Sequence, residues 1–478
     1  MPSNPSSANP SGALPTVLED IVANRRRHLP EIRERLAHVD ISALPRSERS
    51  LYGSLKGSNR FIMECKSSSP SLGLIRSDYH PGDMARIYSR YAAGISVLCE
   101  PDHFGGDYDH LQTVSLSTRL PVLCKDFIVD PIQVYAARYY GADAILLMMS
   151  IVNDEEFAEL KALADKLGLD VLTEAITPEE VQRAENFGVD IIGINNRNLH
   201  DLSIDLSRTE RLASLVSPGK VIISESGIRD HATVRRLGAY ANAFLVGSQL
   251  SSQPDVDRAA RELIYGTHKV CGLTAPEHAQ AARAAGACYG GLIFEEASPR
   301  SVSRETAKKI ISAEPGLRYV AVSRREDEFA ELALPGVHAI QVQAPYKGSL
   351  EGERALIAKA REQARGAEVW RAVAMTDPEH AALAEDLSRE AELLVLDSGH
   401  GGTGQTFRWS DVPDAVKERS LLAGGIDHTN LAAALAVGTR GLDLNSGLES
   451  QPGRKDTGLI ARAFQEIRTN TEATLLNS

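Results

Sequence analysis

The sequence predicts an α/β protein made of two eight-stranded (β/α)8 barrels in tandem, and three observations support this fold. Short apolar runs that end in a polar or charged residue recur along the 478 residues, as the strands of buried parallel sheets do. Helical stretches lie between these runs, and several of them end at a glycine that can supply a left-handed C-cap. The whole pattern restarts near residues 265–267, so each half has its own set of strands.

The first half contains eight strand candidates at intervals of about 20–35 residues, which is the spacing of a TIM barrel. A doubly wound open sheet is the alternative, and it is weakened because no G-x-G-x-x-G motif follows the first candidate. The segment 16–51 precedes the first candidate and predicts extra N-terminal helices. The candidates are residues 61–66, 95–100, 121–126, 144–150, 170–174, 190–197, 221–227 and 243–248.

The second half repeats this arrangement in about 210 residues and predicts a more compact TIM barrel. Glycines again follow helical stretches, at Gly286 and Gly438. We place a disordered lead at residues 1–15, the first barrel at 16–266 and the second at 267–478. The strand candidates are residues 269–273, 289–294, 319–323, 339–343, 369–375, 393–398, 421–426 and 441–446.

Composition excludes several classes of protein. The 52 Lys and Arg residues against 64 Asp and Glu give a formal net charge of −12, which argues against a nucleic-acid partner but allows a local basic site for a phosphate. The five cysteines show no C-x-x-C spacing, so we expect neither a disulfide framework nor a zinc site. No apolar stretch reaches the roughly 18 residues that span a bilayer, so we expect a cytoplasmic protein without a membrane partner.

Charged side chains gather at the carboxyl ends of the predicted strands of the first barrel, where such barrels carry their active sites. Any one of them could simply mark the return of polarity at a strand end. Two lysines and three glutamates that converge on one barrel mouth instead predict a site where acid and base coexist and shift each other's pKa values toward neutrality. The set is Glu64, Lys66, Lys125, Glu174, Asn195, Arg197, Glu225 and Ser226.

The seventh and eighth predicted strands of both halves run into small residues. Small residues let backbone N–H groups approach an anion, and barrels commonly bind phosphate after these two strands. The alternative is that the glycines only make tight turns. We expect a phosphorylated ligand in both barrels, near Gly227, Gly247 and Ser248 in the first and near Gly424, Gly425, Asn445 and Ser446 in the second.

Three further residues of the second half lie at predicted strand ends. Cys271 ends the first strand, Arg300 follows the second, and Asp397 ends the sixth. A lone buried cysteine is usually an inert apolar residue, but a thiol that faces Asp397 could form a base and acid pair with it. The glycine-rich stretch 399–404 follows Asp397 and predicts a flexible cover over this site.

The motifs of the two halves resemble those of two enzymes. Residues 15–265 resemble indole-3-glycerol-phosphate synthase, and residues 268–470 resemble phosphoribosylanthranilate isomerase. Together they resemble the fused bifunctional enzyme of bacterial tryptophan synthesis. The matching segments are F-I-M-E-C-K-S-S-S-P-S (61–71), V-L-C-K-D-F (122–127), L-T-E (172–174), G-I-N-N-R-N-L (193–199), S-E-S-G-I (224–228) and F-L-V-G-S (244–248) in the first half, and K-V-C-G-L-T (269–274), S-P-R (298–300), V-L-D (395–397), G-G-T-G (401–404), L-L-A-G-G-I (421–426) and G-L-D-L-N-S-G (441–447) in the second.

The resemblance implies that the second barrel performs an Amadori rearrangement of N-(5-phosphoribosyl)anthranilate to carboxyphenylaminodeoxyribulose phosphate. It implies Asp397 as the general acid at the ribose ring oxygen and Cys271 as the general base at C2, while Arg300 holds the anthranilate carboxylate. These roles agree with the chemistry, because one group must donate a proton and another must accept one on a single sugar.

The resemblance also implies that the first barrel closes the indole ring, with loss of carbon dioxide and water. Lys125 would be a general acid at the ribulose carbonyl, Lys66 would hold the substrate carboxylate and act as a further acid, and Glu174 would be a base or would stabilise positive charge on the anilino nitrogen. No metal, cofactor or obligate protein partner is implied, only small phosphorylated substrates. The supporting and substrate-contacting residues would be Glu64, Glu225, Asn195, Arg197, Ser69 and Ser226.

Two segments depart from the pattern of the isomerase family: residues 407–409 read F-R-W instead of the usual F-D-W, where we expect only a loop or surface effect, and the other departure faces the active site. The family usually reads Q-L-H-G where residues 341–344 read Q-V-Q-A, so Gln343 replaces a histidine that faces the active site. Glutamine can donate and accept a hydrogen bond but cannot titrate, and we expect isomerase activity to survive.

The alternative to a bifunctional enzyme is a synthase whose second barrel only binds a phosphorylated ligand or has a structural role. A third interpretation is two sugar-phosphate barrels of unrelated chemistry, such as histidine-pathway isomerases. It is weakened because those barrels usually use paired aspartates, whereas the second half here offers Cys271 with Asp397.

Overall fold

The computed structural model of the chain describes residues 16–399 and 406–470. Within them, two closed barrels of eight parallel strands follow each other along the chain with helices between the strands, so the predicted fold is confirmed. The predicted lead at 1–15 and residues 400–404 of the predicted cover lie outside the described residues.

The chain divides into two compact units, each of which contains one barrel. One unit comprises residues 1–229 and 236–260, and the other comprises residues 230–235 and 261–478. The domain boundary that the sequence suggests, between residues 266 and 267, stays a prediction.

The strands of the first barrel are apolar and buried on both faces, which is why their sequences do not alternate. Phe61, Ile62 and Met63 are consecutive residues of the first strand, and all three are fully buried. That strand pairs in parallel with both of its neighbours and so closes the sheet. The barrel strands are β1 (Arg60–Cys65), then, after a short antiparallel hairpin of β2 (Ser68–Ser69) and β3 (Gly73–Leu74), β4 (Gly94–Leu98), β5 (Val122–Lys125), β6 (Ala144–Met148), β7 (Asp170–Ala175), β8 (Ile191–Asn195), β9 (Val221–Glu225) and β10 (Ala243–Val246).

The helices of this part of the chain begin and end at local sequence signals. Asn153 caps one helix in a capping box with Glu156, and Gly168 ends the same helix with a φ of 70°. The predicted extra helices before β1 are present, with a 3₁₀ turn at Ile41–Ala43 between them. No helix within the described ranges is long and apolar enough to cross a membrane. The helices are α1 (Val17–Arg35), α2 (Leu51–Leu55), α3 (Pro81–Tyr88), α4 (Pro101–Phe104), α5 (Tyr108–Ser117), α6 (Pro131–Tyr139), α7 (Asp154–Leu167), α8 (Pro178–Asn186), α9 (Ser207–Ala213), α10 (His231–Leu237), α11 (Ser248–Ser251) and α12 (Val256–Tyr265).

The second barrel has the same topology with shorter strands. Its sheet closes where β11 pairs with both β12 and β18. The strands are β11 (Lys269–Val270), β12 (Tyr289–Ile293), β13 (Arg318–Ser323), β14 (Val337–Val342), β15 (Glu368–Ala374), β16 (Leu393–Asp397), β17 (Ser420–Leu422) and β18 (Gly441–Leu444), followed by the hairpin of β19 (Glu449–Gln451) and β20 (Arg454–Lys455). The helices are α13 (Pro276–Ala285), α14 (Arg304–Ala313), α15 (Leu350–Gln363), α16 (Pro378–Ala382), α17 (Ala384–Glu390), α18 (Asp414–Lys417), α19 (Leu431–Ala436) and α20 (Thr457–Thr469).

Several strands are shorter at their carboxyl ends than the apolar runs predict. The run 421–426 leaves the sheet after Leu422, because Gly424 and Gly425 have φ angles of 91° and 63°, a left-handed backbone that a strand does not contain. The chain therefore turns at the mouth of the barrel, where a ligand would bind.

A buried ion pair fastens α1 to the first barrel. Arg25 of α1 is 2% exposed, and its Nε and Nη2 donate to the two carboxylate oxygens of Asp126, each at 2.7 Å. The hydroxyl of Tyr108 donates to the same carboxylate at 2.7 Å, and Gln133 does so at 3.3 Å. Burial alone raises the pKa of Asp126, but the charge of Arg25 and these hydrogen bonds hold the pKa below its usual value. Asp126 directly follows Lys125, so the pair fixes α1 to the strand end that bears this lysine.

We expect Arg25→Met to lower the free energy of unfolding of the first barrel by about 3–5 kcal/mol, because it leaves the Asp126 charge buried without its partner. Urea unfolding at neutral pH measures this. Asp126 has a lowered pKa, so the stability from its charge is present above its unfolded pKa and is lost as pH falls through its folded pKa. The difference between the two proteins should therefore shrink in acid.

Arg33 provides the matched control on the same helix. Its guanidinium lies 2.7 Å from Asp130, but its side chain is 55% exposed. Such a pair contributes about 0–1 kcal/mol, so Arg33→Met should unfold close to the wild type. Equal losses in both variants would contradict a special role for the buried pair.

Candidate active sites

A cavity of about 680 Å³ opens at the carboxyl ends of the first barrel's strands. Its walls contain every residue predicted for this site except Glu225, which lies fully buried beneath the wall and contacts it through Lys125. The predicted residues that line the cavity are Glu64, Lys66, Ser69, Lys125, Glu174, Asn195, Arg197, Ser226, Gly227, Gly247 and Ser248.

Lys125 is the centre of a row of alternating charges. Its Nζ lies 2.8 Å from Oε2 of Glu225 and 3.5 Å from Oε2 of Glu64, whose Oε1 lies 2.7 Å from Nζ of Lys66. Burial lowers the pKa of Lys125, but the carboxylates around it outweigh burial and hold the pKa above its usual value. Burial likewise raises the pKa of Glu64, and the two lysines hold it below its usual value. Lys125 therefore keeps its proton, and Glu64 keeps its charge.

Glu174 belongs to the same cavity but has the opposite protonation behaviour. Burial and then the nearby charge of Glu225 raise the pKa of Glu174 to about 8, against the opposing effects of Lys125 and the Asn195 amide. At pH 7 Glu174 is thus largely neutral while Glu64 is ionised. Two carboxyl groups whose surroundings separate their pKa values are typical of sites that both donate and accept protons.

Two glycines make room for these carboxylates. A Cβ on Gly193 would overlap Oε1 of Glu225, and a Cβ on Gly247 would overlap Oε1 of Glu64. Gly247, which the sequence suggests only as a phosphate contact, therefore has a second role in the packing of the site.

The turn after β9 has an unusual backbone. Ser226 and Gly227 both have positive φ angles, 66° and 79°, although Ser226 has a side chain that disfavours this region. Asn196, fully buried, donates from Nδ2 to the Ser226 carbonyl at 3.1 Å and to Ser224 Oγ at 3.0 Å. Asn196 is not among the residues predicted from the sequence, although it stands beside Asn195 in the N-N-R segment.

Arg229 is a further cation in the first cavity, and it is not among the residues predicted from the sequence. It lines the cavity together with Arg197. Burial and the charge of Arg229 lower the pKa of Arg197, so the two guanidinium groups lie close enough to repel each other. Two cations on one wall favour an anionic group of a ligand.

A second cavity, of about 410 Å³, opens at the carboxyl ends of the second barrel's strands. All residues predicted for this barrel's site line it: Cys271, Arg300, Gln343, Asp397, Gly424, Gly425, Asn445 and Ser446. Asp397 is 6% exposed, and its Oδ1 accepts the Ser398 backbone N–H at 2.7 Å, while its Oδ2 accepts Nε2 of Gln343 at 3.2 Å.

Arg300 is already bound by a carboxylate. Its Nε lies 2.9 Å from Oε1 of Glu449, and its Nη2 lies 2.8 Å from Oε2. Lys455 donates to the same Glu449 at 2.8 Å and to Oδ1 of Asn445 at 2.8 Å. Arg300 can therefore offer a ligand only the Nη1 edge of its guanidinium. Glu449 and Lys455 were missed, since nothing in the sequence shows that the hairpin of β19 and β20 reaches this site.

Cys271 shares its surroundings with a buried ion pair. Nζ of Lys269, fully buried, lies 2.7 Å from Oδ2 of Asp443, whose Oδ1 has no hydrogen-bond partner among the described residues. Burial raises the pKa of Cys271 above its usual value, although Lys269 lowers it. Burial also raises the pKa of Asp443, against the effect of Lys269. Lys269 could have been found from the sequence, because it stands two residues before Cys271 and such residues share one face of a strand.

Two family models match this chain, one in each half. Residues 18–263 match the family model described as indole-3-glycerol phosphate synthase, and residues 268–466 match that described as N-(5'phosphoribosyl)anthranilate (PRA) isomerase. The Corynebacterium glutamicum protein named tryptophan biosynthesis protein TrpCF is 60% identical over 469 residues, which cover 96% of this chain and 99% of that protein. A Salmonella typhi protein of the same name is 43% identical over 460 residues, 95% and 99% of the two chains. Among solved structures, phosphoribosyl anthranilate isomerase from Thermus thermophilus is 27% identical and covers 44% of this chain and 99% of its own, with a TM-score of 0.37.

We expect Glu174 to carry its proton at pH 7 and to lose it near pH 8, because burial and Glu225 favour its neutral form. The infrared difference spectrum between the wild type and Glu174→Gln should show a protonated carboxyl band at pH 7 that disappears above about pH 9. Glu64→Gln is the matched control in the same cavity and should show no such band at pH 7. A Glu174 that is fully ionised at pH 6 would contradict this expectation.

Proposed function

The chain belongs to the family of bifunctional tryptophan-biosynthesis enzymes that join an indole-3-glycerol phosphate synthase to a PRA isomerase, and from this premise we propose how its residues divide the two reactions. The first barrel is the decarboxylating synthase, and the second is the isomerase. The isomerase makes the carboxyphenylaminodeoxyribulose phosphate that the synthase consumes, so the second barrel acts first in the reaction sequence.

In the isomerase, Asp397 donates a proton to the ribose ring oxygen while the bond from that oxygen to C1 breaks. The anilino nitrogen takes up the resulting positive charge as an iminium ion. Cys271, as a thiolate, then removes the proton from C2, and the enol that forms rearranges to the ketone. The single observation that supports these roles is that both side chains line one cavity at the barrel mouth.

Lys269 supports the proton acceptor in this scheme. The raised pKa of Cys271 makes the thiol the resting form, and a thiol must lose its proton before it can accept one from C2. The buried ammonium of Lys269 lowers the pKa of Cys271 and so favours the thiolate.

In the synthase, Lys125 is the general acid that protonates the ribulose carbonyl oxygen while the aromatic ring attacks the carbonyl carbon. Loss of carbon dioxide restores the electrons to the ring, and loss of the hydroxyl group as water completes the indole. The observation that supports this role is the position of Lys125 between Glu225 and Glu64, which keeps it protonated. Lys66 holds the substrate carboxylate and gives the second proton, and its pairing with Glu64 supports this role.

Glu174 serves the nitrogen of the substrate. Its pKa of about 8 leaves a fraction of Glu174 ionised near neutral pH, and this ionised form is the base that accepts the proton of the anilino nitrogen. Asn195 and Arg197 orient the substrate, and Ser69 and Ser226 contact it from the cavity wall.

The phosphate groups bind in both barrels where the chain leaves the last two strands. Gly227, Gly247, Ser248 and Arg229 surround this position in the first cavity. Gly424, Gly425, Asn445 and Ser446 surround it in the second cavity. We place the enzyme in the cytoplasm, where its five free, buried cysteines stay reduced.

Lys125→Met in the full chain should lower ring closure by about 10²–10⁴-fold, because it removes the general acid, and should leave isomerisation unchanged. The fluorescence of the anthranilate group follows both reactions. If ring closure continued at the wild-type rate, the assignment of Lys125 would be wrong.

Asp397→Asn and Cys271→Ser should abolish isomerisation and leave ring closure unchanged. Asparagine keeps the size and the acceptor oxygen of Asp397 but cannot supply a proton. Each variant is assayed for both reactions in one preparation, so the untouched barrel is its control. Loss of both activities in one variant would argue against separate sites.

A further inference from the structure

A continuous line of hydrogen bonds crosses the second cavity from Lys269 to Asp397. Nζ of Lys269 donates to Oε1 of Gln341 at 2.7 Å. Nε2 of Gln341 donates to Oε1 of Gln343 at 2.9 Å, and Nε2 of Gln343 donates to Oδ2 of Asp397 at 3.2 Å. The line joins β11 to β16 through two side chains at the end of β14.

The Lys269 ammonium fixes the direction of this line. An ammonium group can only donate, so Gln341 accepts from it through Oε1 and donates to Gln343 through Nε2. Both carboxamides must therefore accept on the side of Lys269 and donate on the side of Asp397, because turning either one over would place like groups against each other. Two neutral side chains thus connect the Lys269 ammonium to Asp397 by hydrogen bonds that all run in one direction.

The backbone that bears Gln343 is held as firmly as its side chain. The Gln343 N–H donates to the Ser323 carbonyl at 2.7 Å. Below it, Nη1 of Arg371 donates to the carbonyls of Val342 at 3.0 Å and Ala344 at 2.8 Å. Arg371 is itself fully buried and paired with Glu353 at 2.6 Å. This segment is therefore a rigid support and not a mobile loop wall.

The start of the line lies beside Cys271. A Cβ built on Gly291 would lie 2.6 Å from Sγ of Cys271 and 3.0 Å from Cε of Lys269, so both side chains pack against the same glycine. The cation that begins the line therefore also neighbours the thiol.

We propose that Gln341 and Gln343 are positioning residues that connect the general acid Asp397 to the cation beside the general base Cys271. The proposal rests on the isomerase roles given above. As the reaction proceeds, Asp397 gives one proton to the ring oxygen and becomes a carboxylate, while the Cys271 thiolate gains one proton from C2. One negative charge thus leaves Sγ and one appears on Asp397. Lys269 adjoins the first position and reaches the second through the two amides, so it stabilises the charge before and after the transfer.

This arrangement gives Gln343 a role that a histidine would fill differently. The glutamine donates an N–H to Asp397 at every pH, whereas a histidine adds a group that titrates near neutral pH. The charged groups near Asp397 and Cys271 are Lys269 on β11, Arg300 and Glu295 after β12, Arg324 after β13, Asp443 on β18, and Glu449 and Lys455 on the hairpin of β19 and β20.

The test compares Gln343→Leu, Gln343→Glu and Gln343→His, with Gln465→Leu as control at an exposed glutamine of α20. Isomerase kcat and KM are measured from pH 5.5 to pH 9.5, and ring closure is measured in the same samples. Gln343→Leu should lower isomerase kcat by about 10–100-fold with a smaller change in KM, because Asp397 loses its orienting N–H. Gln343→His should retain more activity than Gln343→Leu and add an inflection near pH 6.5.

Gln343→Glu supplies the sharpest readout. It keeps the size of the side chain, removes the N–H, and places a second negative charge beside Asp397. Because the glutamate cannot donate the N–H that Asp397 accepts, isomerase kcat should fall by about 10–100-fold although the size of the side chain is kept. A residue that only filled space would keep its kcat in this isosteric variant.

An unchanged isomerase kcat in Gln343→Leu or in Gln343→Glu overturns the proposal. If Gln343→Leu also lowers ring closure, the chain has been damaged, and Gln343→Glu then decides alone. Asp397→Asn distinguishes the catalytic role of Asp397 from the positioning role of Gln343. If it keeps turnover, the role of Asp397 itself is wrong, a result distinct from a Gln343 series without effect.

Discussion

An ion inside a protein loses its hydration, and the free energy of this loss limits where each barrel can contain charged residues. The strands of each barrel are mostly apolar, and several of the buried ions on them are paired with an ion of opposite charge. Lys125 lies between two glutamates, and Lys269 is paired with Asp443. Arg25 and Asp126 follow the same rule where α1 meets the first barrel. Several of the charges at both sites are therefore ones that the fold has already paired.

Neighbours decide what each residue type does within one cavity. Glu64 and Glu174 are both glutamates at the mouth of the first barrel, but two lysines contact Glu64, whereas Glu174 lies near Glu225. The first is ionised at pH 7 and the second is largely neutral, although their sequences give no hint of the difference. Catalytic roles therefore follow from cross-strand contacts, which are a property of the closed barrel.

The fold and most of the site could be predicted because both leave local signals. Apolar runs indicate strands, and polar residues at the ends of these runs indicate the barrel mouth. Lys125 and Asp397 were predicted as site residues in this way. The runs did not show where pairing stops, since the left-handed backbone at Gly424 and Gly425 ends the strand early. The sequence did not indicate Glu449 and Lys455, because Glu449 pairs with Arg300, which is distant from it in the sequence. It did not indicate Arg229 either, because that residue approaches Arg197 only when their two segments meet at the barrel mouth.

The two barrels differ in how they stabilise the charged residues of their sites. In the first, Glu225, Lys125, Glu64 and Lys66 form a row of alternating ions with no net charge, and Arg197 and Arg229 then add positive charge. In the second, two neutral amides separate the cation from the acid, so the polarity of Lys269 reaches Asp397 without a further ion. Neither cavity shares the excess negative charge that gives the whole chain its net −12. Because screening limits the reach of distant surface charges to about 8–10 Å, a phosphorylated anion is bound according to these local balances and not according to the total.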